Sequence, residues 1–316
     1  MIKQKRVITK LLILLLCIFT FSICFGHNVN ASTSISDGKT YQIEANVDPS
    51  QEKIMKYDAR TQETTEVSTD EISTLSASLG GKSSSTSAYI PSKFSPTLNF
   101  PTPMSDGWFS KVNNPFEYPY TAVGKVFAGG YTGTGYLVGP NIVLTSAHLI
   151  FDDNNNFYNW SFSPAYNNGN YNGKNGGWEQ VWYSDNWKTT HAAAYDWAIC
   201  KMYDNFGDDF GWFGAFCHST NAEYNNTNVK MVGYPGSFEN AQYQYWGDGK
   251  IQTTYDGYFY SNIGSVGGFS GSPVYVTDGS YAAVGINHGH TSDGREIGTK
   301  ITQNMLNIIR DLKGEN

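Results

Sequence analysis

The sequence predicts an all-β fold, a sandwich or barrel, with one helix at its C-terminal end. Three observations carry this. Short runs rich in β-branched and aromatic residues recur along the chain and are punctuated by Gly, Pro, Asn or Asp. Charged residues are only 16% of the 316 while aromatics reach 15%, a balance that suits strands joined by polar turns better than surface helices. Helical periodicity is clear only in "ITQNMLNIIRDL", where Ile301, Met305, Ile308 and Leu312 share one face.

The chain begins "MIKQKRVITKLLILLLCIFTFSICFGHNVNAST". Lys3, Lys5, Arg6 and Lys10 precede an apolar run too short for a bilayer span, and Val29-Asn30-Ala31 offers small residues for a signal peptidase. Residues 1–31 are therefore expected to be a cleaved signal peptide and the protein to be secreted. Residues 32–100 are rich in Ser, Thr and Glu, and "STLSASLGGKSSSTSAYIPS" is of low complexity. A poorly ordered pro-segment is expected there.

Residues 101–316 read as one compact unit. The runs "AVGKVFAGG", "GTGYLVGPNIVLTSAH", "DWAICKM", "NVKMVGYP", "GKIQTTYDGYFYSN", "SPVYV" and "YAAVGINHG" are its strands, and "GPN" is a turn between two of them. The net charge of -7 and the absence of a polybasic patch argue against nucleic acid and against stable membrane association once the signal is removed. Of four cysteines, Cys17 and Cys24 leave with the signal. Cys200 and Cys217 remain, either as one disulfide or as two separate thiols, since spacing alone does not fix their separation.

The chemistry centres on "GSVGGFSGSPVY", residues 264–275, where glycines surround Ser270. A serine hydroxyl needs a base to become a nucleophile. Among six histidines, His148 ends the strand-like "GTGYLVGPNIVLTSAH" behind the small residues Thr145, Ser146 and Ala147. Asp196 stands at the mouth of the apolar run "YDWAICKM", where a carboxylate entering a core needs a partner. An imidazole Nδ1–H would supply one and leave Nε2 to face Ser270.

The order His148, Asp196, Ser270 is that of chymotrypsin-like enzymes. The blocks "TGTGYLVGPNIVLTSAH", "YDWAI", "VGYPG" and "GGFSGSPVY", with "GWFG" after the Asp strand, resemble those of the bacterial glutamyl endopeptidases, secreted trypsin-like serine proteases. The resemblance covers roughly residues 115–312. It implies two six-stranded antiparallel β-barrels with the site between them, a C-terminal α-helix, and a zymogen. By position in the motif, the backbone N–H groups of Gly268 and Ser270 would form the oxyanion hole. Loss of one such donor typically costs about 3 kcal/mol of transition-state stabilisation. No metal or organic cofactor is required, the partners expected are protein or peptide substrates, and a monomer is expected.

The resemblance also names a substrate pocket. Ser265, five residues before Ser270, would line it. Relatives that cut after Glu carry His as the third residue of "GIH", whereas this chain has "GINHGH", with Asn287 there and His288 next. Alternation along a strand should turn Asn287 and His288 to opposite faces unless a bulge re-aims one. A polar pocket lined by Ser265, Asn287 and His288 and favouring acidic or amide P1 residues is expected. Phe269 stands where animal trypsin-like zymogens use Asp to capture a new N-terminus, so that switch is not expected.

Rival readings exist. A protease-like binding module, an adhesin or toxin with little turnover, would keep the fold without the chemistry, and an esterase of the same fold would differ only in substrate. Trp and Tyr among the Asn and Gly of residues 152–187 suggest a sugar-stacking surface, or else long barrel loops, the preferred reading. Asp152 and Asp153 lack calcium-loop spacing.

Overall fold

A computed structural model describes residues 33–36, 39–42, 47–48, 51–68, 84–94 and 109–315. The expected signal peptide, residues 1–31, lies outside them. Before the main body come β1 (Thr33–Ser36), β2 (Lys39–Gln42), β3 (Ile54–Asp58), β4 (Glu63–Glu66), β5 (Ser84–Ser85) and β6 (Ser110–Lys111). Next come β7 (Val123–Ala128), β8 (Tyr131–Gly139), β9 (Ile142–Thr145), β10 (Trp160–Pro164), β11 (Trp178–Ser184), the short α1 (Trp187–Thr190) and β12 (Ala198–Met202). A link through α2 (Phe206–Phe210) and β13 (Gly214–Cys217) leads to β14 (Asn228–Gly233), β15 (Tyr245–Thr254), β16 (Tyr258–Ser261), β17 (Pro273–Val276), β18 (Ala282–Thr291) and β19 (Glu296–Lys300). The chain ends in α3 (Gln303–Lys313).

Strands β7 to β12 and β14 to β19 repeat one arrangement. In each set the fourth strand lies beside the first, followed by the second, third, sixth and fifth. In the C-terminal set β17 also pairs with β18, which closes a six-stranded barrel. The N-terminal set stays open, contrary to the expectation of two closed barrels. The outer edge of β11 pairs instead with β3, from Gln180↔Asp58 to Ser184↔Ile54. Those backbone groups are thereby satisfied without closure onto β10.

Part of the segment expected to be poorly ordered is built into the fold. Ile54 is buried, the Trp197 indole N–H donates to Glu52 Oε1 at 2.8 Å, and the Tyr195 hydroxyl donates to the Asp48 carbonyl at 3.3 Å. Residues 84–94 also dock: the Ala215 amide donates to Thr86 Oγ1 at 3.0 Å, and Tyr89 and Trp212 pack ring to ring. The Ser-, Thr- and Glu-rich composition hides these anchors, because a strand added to an existing edge needs few apolar side chains.

The terminal helix follows the sequence pattern. Met305, Leu306, Ile308 and Ile309 are buried, the Thr302 hydroxyl accepts the Met305 amide as a cap, and Gly314 ends the helix with φ of 68°. Cys200 is buried in β12, and Cys217 is a separate thiol directed at the His218 carbonyl, so they form no disulfide. Burial pushes both thiols above their usual range. In residues 152–187 the indoles of Trp160, Trp182 and Trp187 are buried in the core, while Trp178 is half-buried and Tyr171 is exposed. Asp152 accepts the amides of Asn154 and Asn156, so its carboxylate organises a turn. Among the described residues no helix is long and apolar enough to cross a membrane.

Candidate active site

The site begins where β9 ends. The Thr145 hydroxyl donates to the Thr134 carbonyl of β8, and the Ser146 hydroxyl donates across to the Asn287 carbonyl of β18. The small residues before His148 therefore tie the first sheet to the second. A 3-10 turn over Ala147–Leu149 then presents the imidazole. Asp196 follows another 3-10 turn, Ala193–Tyr195, and is fully buried.

Three donors converge on the Asp196 carboxylate. The backbone amide of His148 reaches Oδ1 at 2.9 Å, and the Nδ1 atoms of His148 and His288 both lie 2.6 Å from Oδ2. Burial alone would raise the Asp196 pKa. Attraction to and hydrogen bonding with His148, then the bond from His288, outweigh burial and hold the carboxyl well below its usual range. An ionised carboxylate can only accept, so both rings must carry their hydrogen on Nδ1. For His148 this leaves Nε2 as the basic atom. Trp187, also buried, packs about 6 Å from both rings, at 6.1 Å from His148 and 6.0 Å from His288.

His288 is thus a correction to the sequence reading, which assigned it to the substrate pocket. Strand β18 carries a bulge between Asn287 and Gly289. The two neighbours do part, as alternation requires, but His288 turns inward to Asp196. The histidine-rich "GINHGH" was a signal for this role, since an imidazole directed into a core needs a polar partner.

Ser270 sits on a turn clamped from both sheets. The Thr134 amide donates to the Ser270 carbonyl at 2.8 Å and the Thr134 hydroxyl to the Gly268 carbonyl at 2.9 Å. The Gly271 amide donates to the same Asn287 carbonyl that Ser146 binds. Gly268 has φ of 97°, and a Cβ there would lie 2.3 Å from the Tyr234 carbonyl oxygen. At Gly271, with φ of 81°, a Cβ would meet the Thr134 carbonyl oxygen at 2.0 Å. Both glycines are therefore required by backbone contacts, whereas a Cβ at Gly267 would meet open space. Phe269 is buried against Phe109 and anchors the turn in the second core. Thr134 is the positioning residue that sequence reasoning missed, although it lies in the quoted block "TGTGYLVG".

The expected pocket residues Ser265 and Asn287 are joined: the Ser265 hydroxyl donates to Asn287 Oδ1 at 3.1 Å. Asn287 Nδ2 in turn donates to Glu296 Oε1 at 3.3 Å, and the Ser261 hydroxyl donates to Glu296 Oε2. Burial pushes the Glu296 carboxyl up to about 7. A cleft of about 380 Å³ opens beside Gly267 and Gly268, between Tyr131 and Gly236. His148, Asp196 and His288 are the one cluster among the described residues with metal-ligating atoms close together, all within 4.8 Å. Both ring nitrogens nearest the carboxylate are engaged as its donors, so the cluster reads as a hydrogen-bonded clamp on Asp196.

The fold is similar to that of trypsin-like peptidases. Residues 133–286, just under half of the chain, match the family model of the trypsin-like peptidase domain. It is similar to the glutamyl endopeptidase of Bacillus licheniformis, with 26% identity over 215 residues, 65% of this chain and 66% of that protein. That span is just under two thirds of the relative's length. A stretch of 68 residues is 43% identical to exfoliative toxin A of Staphylococcus aureus, covering 20% of this chain and 24% of the toxin. A solved structure of a Glu endopeptidase in complex with MPD shares the fold with a TM-score of 0.60 at 24% identity, covering 67% of this chain and 99% of that one.

Proposed function

We propose that the protein is a secreted serine endopeptidase that hydrolyses peptide bonds through an acyl-enzyme. The observation that carries this is the Asp196 carboxylate fixing His148 through Nδ1, with the Ser270 turn bound to the same Asn287 carbonyl that secures the approach to His148. Ser270 attacks the scissile carbonyl while His148 Nε2 takes its proton. Asp196 holds the ring and stabilises the imidazolium, and the backbone N–H groups of Gly268 and Ser270 bind the oxyanion. His148 then returns the proton to the leaving amine, and water repeats the sequence in reverse to release the acid. Export rests on the N-terminal pattern and on the extracellular name borne by one bacterial relative, an "Extracellular metalloprotease" of Bacillus subtilis at 23% identity. Residues 32–100 serve as a pro-segment in this reading.

The P1 residue is polar, acidic or amide. Ser265 and Asn287 supply the polar wall, and Glu296 stands behind Asn287. An acidic P1 residue is therefore accepted best when Glu296 carries its proton. A fluorophosphonate probe on processed protein should label Ser270, and Ser270→Ala should abolish both labelling and peptide hydrolysis. An inert binding module, the alternative that the toxin-like stretch keeps in view, would not label. Cleavage of a peptide library only after Lys, Arg or large aromatics would reject the P1 assignment.

A further inference from the structure

We infer that the edge of β18 beyond the nucleophile is a strand-docking surface whose resident occupant is the chain's own hairpin, β1 and β2, and that peptide substrates compete with it for that edge. The inference deepens the protease reading and rests on Ser270 as the nucleophile.

Strand β18 has two edges. One is paired with β19 from Gly285 to His290. The other is followed first by β17, through Pro273↔Ile286, and then by the Ser270 turn: the Asn287 amide donates to the Ser272 carbonyl and the Asn287 carbonyl accepts the Gly271 amide. Farther along, β1 pairs antiparallel with β18, Ser34 opposite Thr291 and Ile35 opposite His290. The Thr291 amide donates to the Arg295 carbonyl, towards β19. Neighbouring residues alternate between edges, so the backbone of His290 faces β1.

A peptide offering a carbonyl to Ser270 must lie alongside β18, and an extended peptide gains affinity by adding a strand to an available edge. Read from Ser34 to Ile35, β1 runs from Thr291 towards His288, the residue bonded to Asp196. It therefore approaches the site along the edge that such a peptide would use, and two strands cannot share one row of N–H and C=O groups. The occupant is held on both sides. Strand β2 backs it from Thr33↔Gln42 to Ser36↔Lys39. A few residues on, Asp48 and Glu52 bind Tyr195 and Trp197, which flank Asp196, and β3 completes the attachment on β11. A tethered segment competes at an effective concentration of the order of mM, so a peptide substrate at micromolar concentration is excluded.

The test uses the full chain. In Ser34→Pro/Ile35→Pro the pairing donors of β1 are lost. The His290 amide should exchange with solvent at least tenfold faster than in the wild type, and kcat/KM on a peptide substrate should rise at least tenfold. A Ser34→Cys/Thr291→Cys pair should cross-link on oxidation, lowering hydrolysis further, with recovery on reduction. This second variant keeps the proposal open to refutation if the prolines prevent folding. Unchanged His290 exchange, unchanged kcat/KM in the proline variant, or failure of the cysteine pair to cross-link would overturn it. Exchange and cross-linking report docking whether or not Ser270 reacts, whereas absent fluorophosphonate labelling in every form would refute the catalytic reading.

Discussion

His148 and His288 donate their Nδ1 hydrogens to one oxygen, Oδ2 of Asp196, each at 2.6 Å. The carboxylate is thus shared between two rings, and the proposed mechanism uses only His148 to move the proton. His288 stabilises the charge of Asp196 and fixes its orientation, acting through it on His148.

Replacing His288 should therefore change the pH dependence as well as the rate. Without its donor, Asp196 attracts the imidazolium of His148 more strongly, so the acid limb of kcat/KM moves to higher pH. We expect His288→Ala to lower kcat about tenfold with little change in KM, and His288→Ser to restore part of it. A lower kcat with an unmoved acid limb would indicate a packing role only. Asp196→Asn, which removes the charge and replaces one accepting oxygen by a donor, should cost about 10⁴-fold in kcat.

Thr134 holds the carbonyls of Gly268 and Ser270 from the opposite sheet. Thr134→Val keeps the shape but removes the hydroxyl that fixes the turn proposed to hold the oxyanion. Steady-state kinetics should show kcat down about tenfold at nearly constant KM, the mark of an interaction realised in the transition state. Thr134→Ser should behave as wild type.

Glu296 gives the proposed substrate pocket its own pH dependence. Its carboxyl is pushed up to about 7 by burial, so it is neutral below that pH and ionised above it. The ratio of kcat/KM for P1 Glu over P1 Gln peptides should fall roughly tenfold between pH 6 and pH 8.5, a like-charge cost of about 1.4 kcal/mol. In Glu296→Gln the ratio should stay level across that range.

Glu52 makes the N-terminal attachment sensitive to pH. It is buried against Trp197, and burial raises its carboxyl from 4.5 to about 7. A carboxyl raised in the folded state stabilises it fully below 4.5, and that contribution is lost as pH rises through about 7. The full chain should lose about 3 kcal/mol from this residue between pH 4.5 and pH 8, read by urea unfolding. Glu52→Gln should flatten that part of the profile.

Much of the site was legible because each residue had a local reason to be where it is. Ser270 lies among glycines that only a tight turn requires, and Gly268 and Gly271 do have left-handed φ with backbone oxygens where a Cβ would stand. Asp196 at the start of an apolar run had to find a donor. His288 was misassigned because its partner lies 92 positions away in sequence. Glu296 gave no local sign of its place behind Asn287.

By itself the sequence determined the strands and the terminal helix and singled out Ser270, His148 and Asp196 as candidates, because hydrophobic period and turn residues act over a few neighbours. Only the tertiary structure decided that one sheet stays open, that Cys200 and Cys217 stay apart, and that β1 to β4 add strands to both sheets. Edge pairing is made by backbone groups that every residue carries, so no side-chain pattern announces which edge a strand will take.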